Sequence, residues 1–201
     1  MKTAIITIFS ALVLVSGIAN STYATTVKND NNTYTVLTDI SAINKIEVHG
    51  NVELYVSDAS SDQVKVYNKY YSESALVQSK NGVLRITSYK AEKLIVWVSA
   101  NDLRSISAYD NAEVKSFGNI SKIEFDIDLH DNASAKLNLE AYSANVTVKD
   151  NAKADISGSA DRYSLIRNVS ATINSSNFTA THFKDNRIGL PVAISDDLAN
   201  L

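Results

Sequence analysis

The sequence predicts an all-β chain wound as a two-sheet β-solenoid of about 20 residues per coil. Three observations carry this. Short alternating runs dominate from Lys45 onward: "KIEVHG", "NVELYVS", "QVKVYN", "GVLRITS", "KLIVWVS" and "RSISAYD". Each places β-branched or aromatic residues at every second position and is bounded by Asn, Asp, Gly or Ser. An Asp-Asn-Ala triplet recurs at Asp110–Asn111, Asp131–Asn132 and Asp150–Asn151, at steps of 21 and 19 residues. Finally, nothing after the first two dozen residues keeps a helical period.

In chain order, residues 1–24 read as a signal peptide. Lys2 supplies a positive start, and "AIITIFSALVLVSGIA" supplies an apolar core too short for a comfortable membrane span. Cleavage fits after Ala24 or after Ala19. No later stretch is apolar enough to cross a bilayer, so no membrane span is expected once the signal is removed. Residues 25–40, "TTVKNDNNTYTVLTDI", read as a polar leader. Residues 41–185 hold the β domain, with repeats clearest over 101–176. Within it, "KLIVWVS" reads as a strand buried on both faces, with Trp97 in the core. Residues 186–201, with Pro191 and an acidic "SDD", read as a loose end or a cap.

The repeat extends in both directions. A further step of 17 residues reaches Asn168, a degenerate copy with Arg167 in the Asp position. Asn51 lies 60 residues before Asn111, which is three steps. Five residues before each Asn stand Ile106, Ile127, Val146 and Tyr163, and three before stand Ala108, Leu129, Val148 and Leu165. One residue after stand Ala112, Ala133, Ala152 and Val169, and three after stand Val114, Ala135, Ala154 and Ala171. Strand alternation turns these columns one way, into a narrow shared interior. The breaks "FGNIS", "LEAYS" and "SGSAD" fall half a period away, so each coil has two strands and two corners.

The corner has a conformational rationale. Asn tolerates the left-handed region, and Asp and Asn side chains bond the local backbone. With one Pro and six Gly, the chain must make most turns from Asn, Asp and Ser. Stacked Asn111, Asn132 and Asn151 are expected to hydrogen-bond along the ladder. Asp110, Asp131 and Asp150 then form a row about 4.8 Å apart. Repulsion of about 1 kcal/mol per pair in water is tolerable on an exposed row, with Arg167 as its cationic end. Calcium is the sharper alternative for this row, but the Gly-Gly-x-Gly-x-Asp form is missing. No metal and no cofactor is expected.

Composition narrows the function classes. The net charge is −3, with no Lys/Arg cluster, so no nucleic-acid partner is expected. The absence of Cys excludes thiol catalysis, Cys-ligated metal and a lipid-modified N-terminus. His49, His130 and His182 are scattered, and no Gly-x-Ser-x-Gly, His-Glu-x-x-His or phosphate loop occurs. Asp126, Asp128, Asp131, Asp150 and Asp155 could line a polysaccharide-cleaving face. Alternation puts acids on a solvated face by default, however, and no catalytic residue is assigned. Tyr67, Tyr70 and Tyr71 in "VYNKYYSES" are candidate stacking residues for a sugar or anchors for a protein. The plainer reading is an edge segment with half-buried tyrosines.

The runs "INKIEVHGNVELYVS", "NGVLRITS" and "VWVSANDLRSISAYDNAEV", in that order, resemble the head GIN domain family of autotransporter-type adhesins over roughly residues 40–180. Where the family has Pro before Leu, this chain has Asn101. The family's glycine-rich corners become Asp-Asn-Ala, with "SGSA" at Ser157–Ala160 the nearest counterpart. The resemblance implies a right-handed solenoid of two sheets, cell adhesion, no established catalytic residues and a homo-oligomer. The expectation is an exported, non-catalytic binding or adhesion module, periplasmic, on the cell surface or secreted, that recognises a glycan or surface protein. A carbohydrate-active enzyme on the same scaffold and a self-associating envelope protein are the alternatives.

Overall fold

The computed structural model describes residues 24–29, 32–37, 40, 42–67 and 75–189. Among these residues there is no helix, and fifteen strands form one strongly curled mixed sheet, a half-barrel. In chain order the strands are β1 (Ala24–Asn29), β2 (Asn32–Leu37), β3 (Lys45–His49), β4 (Val52–Asp58) and β5 (Gln63–Tyr67). Next come β6 (Ala75–Lys80), β7 (Val83–Ser88), β8 (Leu94–Ala100), β9 (Ser105–Ala108) and β10 (Glu113–Ser116). The last five are β11 (Ile120–Leu129), β12 (Ser134–Val148), β13 (Lys153–Asn168), β14 (Thr172–Asn174) and β15 (Phe178–Ile188).

Most of the sheet is two limbs of parallel strands. In the entry limb the chain runs toward the Asp corners, and β7, β3, β9, β11 and the second parts of β12, β13 and β15 pair in that order. In the exit limb the chain leaves the corners, through β8, β4, β10, the first parts of β12 and β13, and then β14 and the start of β15. Ile106, Ile127, Val146, Leu165 and Asp185 align across the entry limb at steps of 21, 19, 19 and 20 residues. The expected breaks "LEAYS" and "SGSAD" are bends inside the continuous strands β12 and β13. Gly158 makes the second bend possible: its φ is +109°, and a Cβ there would lie 2.0 Å from the Leu139 carbonyl oxygen.

At the joint between the limbs, Asp rather than Asn takes the left-handed conformation. Asp110, Asp131 and Asp150 have φ of 59°, 56° and 55°, and Gly50 stands in the same place with φ 83°. Each turn is closed locally, as where Ala133 N–H donates to the His130 carbonyl at 3.0 Å. The rungs are tied by carboxylates. Asp110 Oδ2 accepts the Gly50 N–H at 2.8 Å, Asp131 Oδ2 the Asp110 N–H at 3.0 Å, and Asp150 Oδ2 the Asp131 N–H at 3.1 Å. The expected Asn ladder is therefore an Asp ladder. Asn111, Asn132 and Asn151 are exposed, and the backbone N–H of Asn132 and Asn151 carries their bonds to the rung before.

The columns beside these corners close one interior. Ala112, Ala133 and Ala152 are each 0% exposed, and Val114, Ala135 and Ala154 continue inward. Across the joint, Ile106, Ile127 and Val146 and the column Ala108, Leu129 and Val148 face the same core. Each fully buried Val, Leu or Ile stabilises the fold by about 1.5–3 kcal/mol.

Several expectations need correction. The fourth copy is displaced by two residues, because Val148 pairs with Arg167. Its corner falls at Val169–Ser170, and the columns run on through Leu165, Arg167, Ala171 and Ile173. Asn168 still serves the turn, its Oδ1 accepting the Ala171 N–H at 3.0 Å. Arg167 does not end the Asp row. It points into the interior column and grips Asp185 through Nε–Oδ1 at 3.1 Å and Nη2–Oδ2 at 2.9 Å. An ion pair thus closes the apolar interior at its late end. The hydrogen bonds from Arg167 hold the Asp185 carboxyl below its ordinary range.

The step from Asn51 to Asn111 is one rung, not three: Ile46 pairs directly with Ile106, and Leu54 with Val114. The intervening chain leaves the stack and returns on its other side, placing β7 against β3 and β8 against β4. Antiparallel strands finish this early end, with β6 on β7, β5 on β8, β2 on β5 and β1 on β2. Residues 24–29 and 32–37, expected as part of a signal and a polar leader, thus supply the outermost antiparallel pair. Residues 1–23 of the expected signal lie outside the described residues. So do residues 190–201 of the expected tail, whose first residues continue β15.

The alanine column gives a direct test of packing. Ala133→Leu is expected to lower stability by about 1–3 kcal/mol in urea unfolding. The same change at exposed Asn132 should move the midpoint far less.

Candidate functional site

Alternation places one outward aromatic on each of five neighbouring strands. In sheet order β2, β5, β8, β4 and β10, these are Tyr34, Tyr67, Trp97, Tyr55 and, one residue beyond β10, Phe117. Val64, Val66, Val96, Val98, Leu54 and Val56 between them are buried, which turns the rings to the outer face. Tyr34 and Tyr67 lie 5.2 Å apart, Trp97 and Tyr55 stack at 4.7 Å, and Trp97 meets Phe117 at 5.2 Å with the planes at 56°. Phe117 is 63% exposed and ends the band. The rings descend diagonally across the strands, because Lys65, not Tyr67, lies opposite Trp97.

Cations flank the band. Lys65 Nζ sits 5.7 Å from the Tyr34 ring centroid, and Lys115 Nζ sits 5.7 Å from that of Tyr55. Lys115 also pairs with Glu53 and lies 3.3 Å from Glu113, while Lys93 lies 2.7 Å from Glu113. Tyr55 donates its hydroxyl hydrogen to Glu53 at 2.8 Å. The hydrogen bond from Lys115 holds the Glu53 carboxyl below its ordinary range, and that from Lys93 does the same for Glu113. Both ammonium groups are pushed up in return. This lattice fixes the floor from which the rings rise. An apolar band edged by cations can pack the C–H faces of sugars or a partner's apolar side chains.

A second outward row follows the corners. His49, Tyr109 and His130 stack with ring centroids 4.4 and 4.9 Å apart and planes at 2° and 11°. His130 Nε2 lies 3.0 Å from Asp128 Oδ1. The other acids considered for chemistry are tied into the scaffold. Asn145 donates to Asp126 at 2.8 Å, Asn174 donates to Asp155 at 3.0 Å, and Asp131 and Asp150 hold the corner N–H groups. Among the described residues, no three His, Cys, Asp or Glu side chains converge as a metal site.

The family model described as "Putative auto-transporter adhesin, head GIN domain" matches residues 42–187, well over half of the sequence. The chain belongs to the head GIN domain family. Among solved structures, a "putative adhesin" from Bacteroides fragilis superposes on this head GIN domain with a TM-score of 0.70 at 15% identity, covering 79% of this chain and 77% of that one. A "putative lipid binding protein" from Parabacteroides distasonis gives 0.58 at 12% identity, covering 79% of each chain. A "putative adhesin" from the same species gives 0.55 at 16%, covering 78% and 79%. At these identities the likeness is one of fold. No curated protein matches the sequence.

Of the tyrosines singled out from the sequence of this head GIN domain, Tyr67 lies in the band, half-buried against Tyr34; Tyr70 and Tyr71 lie outside the described residues. Trp97 is corrected from core to outer face, since β8 buries Leu94, Val96 and Val98 and turns Ile95, Trp97 and Ser99 outward. Tyr34, Tyr55 and Phe117 were missed. Position-by-position alternation would have turned Tyr55 outward, but only the strand order shows that residues 34, 55, 67, 97 and 117 adjoin. Among the described residues, no helix is long and apolar enough to cross a membrane.

The lowered carboxyls of Glu53 and Glu113 set an acid dependence. Their contribution is fully present above the ordinary value of 4.5 and is lost as pH falls through the lowered values. Urea midpoints measured from pH 6 down to pH 3 should therefore fall. The fall should be shallower in Lys115→Ala, which is also expected to cost up to about 1 kcal/mol at pH 6.

Proposed function

We propose that this head GIN domain is an exported, non-catalytic binding module that serves adhesion at the bacterial envelope. The observation that carries the reading is the five-ring band. Aromatic residues from sequence-distant strands meet on an outer face, where the core does not need them. Rigid aromatic anchors with a polar surround are the usual centre of a recognition surface. Family membership and the start "MKTAIITIFSALVLVSGIA" favour export, to the periplasm, cell surface or medium. The parallel limbs are the body of a right-handed two-sheet coil of about 20 residues per turn. Register steps of 19–21 residues favour that coil, and the antiparallel strands finish its early end. The partner is a glycan or a surface protein, and the hydrogen bonds that hold Asp126, Asp131, Asp150 and Asp155 in the scaffold favour binding over turnover.

Trp97 is the single tryptophan, so its fluorescence reports directly on the band. On a glycan array and a panel of surface-protein ligands, the domain should bind at least one member, with a shift of Trp97 emission. Phe117→Ala should weaken that binding about tenfold or more without changing the melting temperature. Silence across the panels, or binding indifferent to both Phe117→Ala and Tyr67→Ala, would remove the reading.

A further inference from the structure

The late end of the entry limb carries a second surface of different chemistry. Three neighbouring strands align there: Ser143, Arg162 and His182 form one outward row, and Asn145, Ser164 and Lys184 form the next. Together they line a groove of about 280 Å³. Its floor is the backbone of the strand row Ala144, Tyr163 and Phe183, whose side chains turn to the inner face of the sheet, where the Tyr163 and Phe183 rings stack at 5.1 Å. Phe183 is 58% exposed. Arg162 is held at one rim by the Tyr142 ring, whose centroid lies 5.3 Å from Cζ.

The charge of this groove is one-sided. Its lining holds a guanidinium, an ammonium and an imidazole and no carboxylate. Acids border this lining: Glu124 and Asp126 continue the two rows on β11, Asp126 accepting from Asn145 Nδ2 at 2.8 Å, Asp161 lies 3.9 Å from Arg162 and 3.8 Å from His182, and Asp185 is occupied by Arg167. The chain as a whole is acidic, with a formal charge of −3, so a carboxylate-free cationic groove runs against its average. The side chains of Arg162 and His182 are 65% and 71% exposed, so their donors face solvent. Between them, Ser143 and Ser164 offer hydroxyls at strand spacing, and Asn145, its Nδ2 held by Asp126, offers its Oδ1.

From this arrangement we propose that the Arg162–His182–Lys184 groove binds an acidic saccharide, such as a uronate, taking its carboxylate on the cations and its hydroxyls on Ser143, Asn145 and Ser164. The mixture decides the class. A guanidinium takes a carboxylate in two parallel bonds. Interleaved hydroxyl and amide groups match vicinal sugar hydroxyls. A phospholipid's phosphate would use the cations, whereas three neutral polar side chains at strand spacing favour a ligand with hydroxyls spread along its length. The volume is just under the small end of ligand sites, roughly 300–1,000 Å³, which suits one or two sugar rings. The site is separate from the aromatic band and does not rest on the adhesion reading.

Calorimetric titration of the full chain with trigalacturonate tests this, with neutral maltotriose and vesicles of phosphatidylcholine–phosphatidylglycerol as the other arms. Trigalacturonate should bind, weaken as salt rises, and lose at least about tenfold in Arg162→Ala and in Lys184→Glu. Asn132→Ala, at an exposed corner in neither surface, should bind it as the parent does. All three positions lie outside the buried core, and unchanged melting temperatures would show that the variants fold. Equal binding of maltotriose, binding unaffected by either charge change, or no binding of trigalacturonate would overturn the proposal. Binding of the anionic vesicles in preference to the trisaccharide would overturn it in favour of a membrane surface.

Discussion

The structure depends on one hydrogen bond repeated from rung to rung: a corner aspartate's carboxylate accepts the backbone N–H of the corner before it. A left-handed corner without glycine costs about 1–3 kcal/mol. Asp adopts that conformation more readily than most residues, and its carboxylate offsets part of the cost by accepting a peptide N–H, a charge-assisted bond. Gly50 marks where the ladder starts. It needs no side chain to reach its φ of 83°, and it supplies the N–H that Asp110 takes. The row of like charges is tolerable because the corners are exposed and each carboxylate has a peptide N–H aimed at its Oδ2.

From this ladder the rest follows in order. Stacked corners put Ala112, Ala133 and Ala152 over one another, and the column continues through buried Val52 and Leu94 on the early side. Beyond the corner the exit limb buries Val114, Ala135 and Ala154 and then Leu137 and Ile156. At the late end the apolar columns stop at Arg167 and Asp185, which neutralise each other. There Tyr163 is pushed up to about 12, chiefly by burial. Where one residue faces in, the next faces out, so the same registers that build the core line up Trp97 with Tyr55 and Arg162 with His182. Both proposed binding surfaces are thus outer faces of a scaffold whose inner face fixes their spacing.

Much of this was legible in the sequence. Alternation exposed the strands, and the Asp-Asn-Ala triplets gave the period and the inward columns of three successive rungs. The fourth rung was misplaced by two residues because Asn168 imitates the corner Asn, while the pairing follows Val148 to Arg167. The role within the pair was inverted for a similar reason: both Asp and Asn tolerate left-handed backbone, and only the coordinates show which residue turns. The 60-residue step could not be read, since no local signal tells that Lys45–Asp58 lies directly beside Ser105–Ser116. The aromatic band was hidden by the same excursion, and the apolar run "LIVWV" imitates a strand buried on both sides.

Amide hydrogen exchange tests the carboxylate ladder most directly. The account predicts that the exposed Asp110 amide is protected in the native chain. In Asp131→Ala it should exchange at least about tenfold faster, while the Gly50 amide, which Asp110 holds, keeps its rate. An Asp110 amide that exchanges as freely as an exposed loop, or one indifferent to the loss of Asp131, would contradict it.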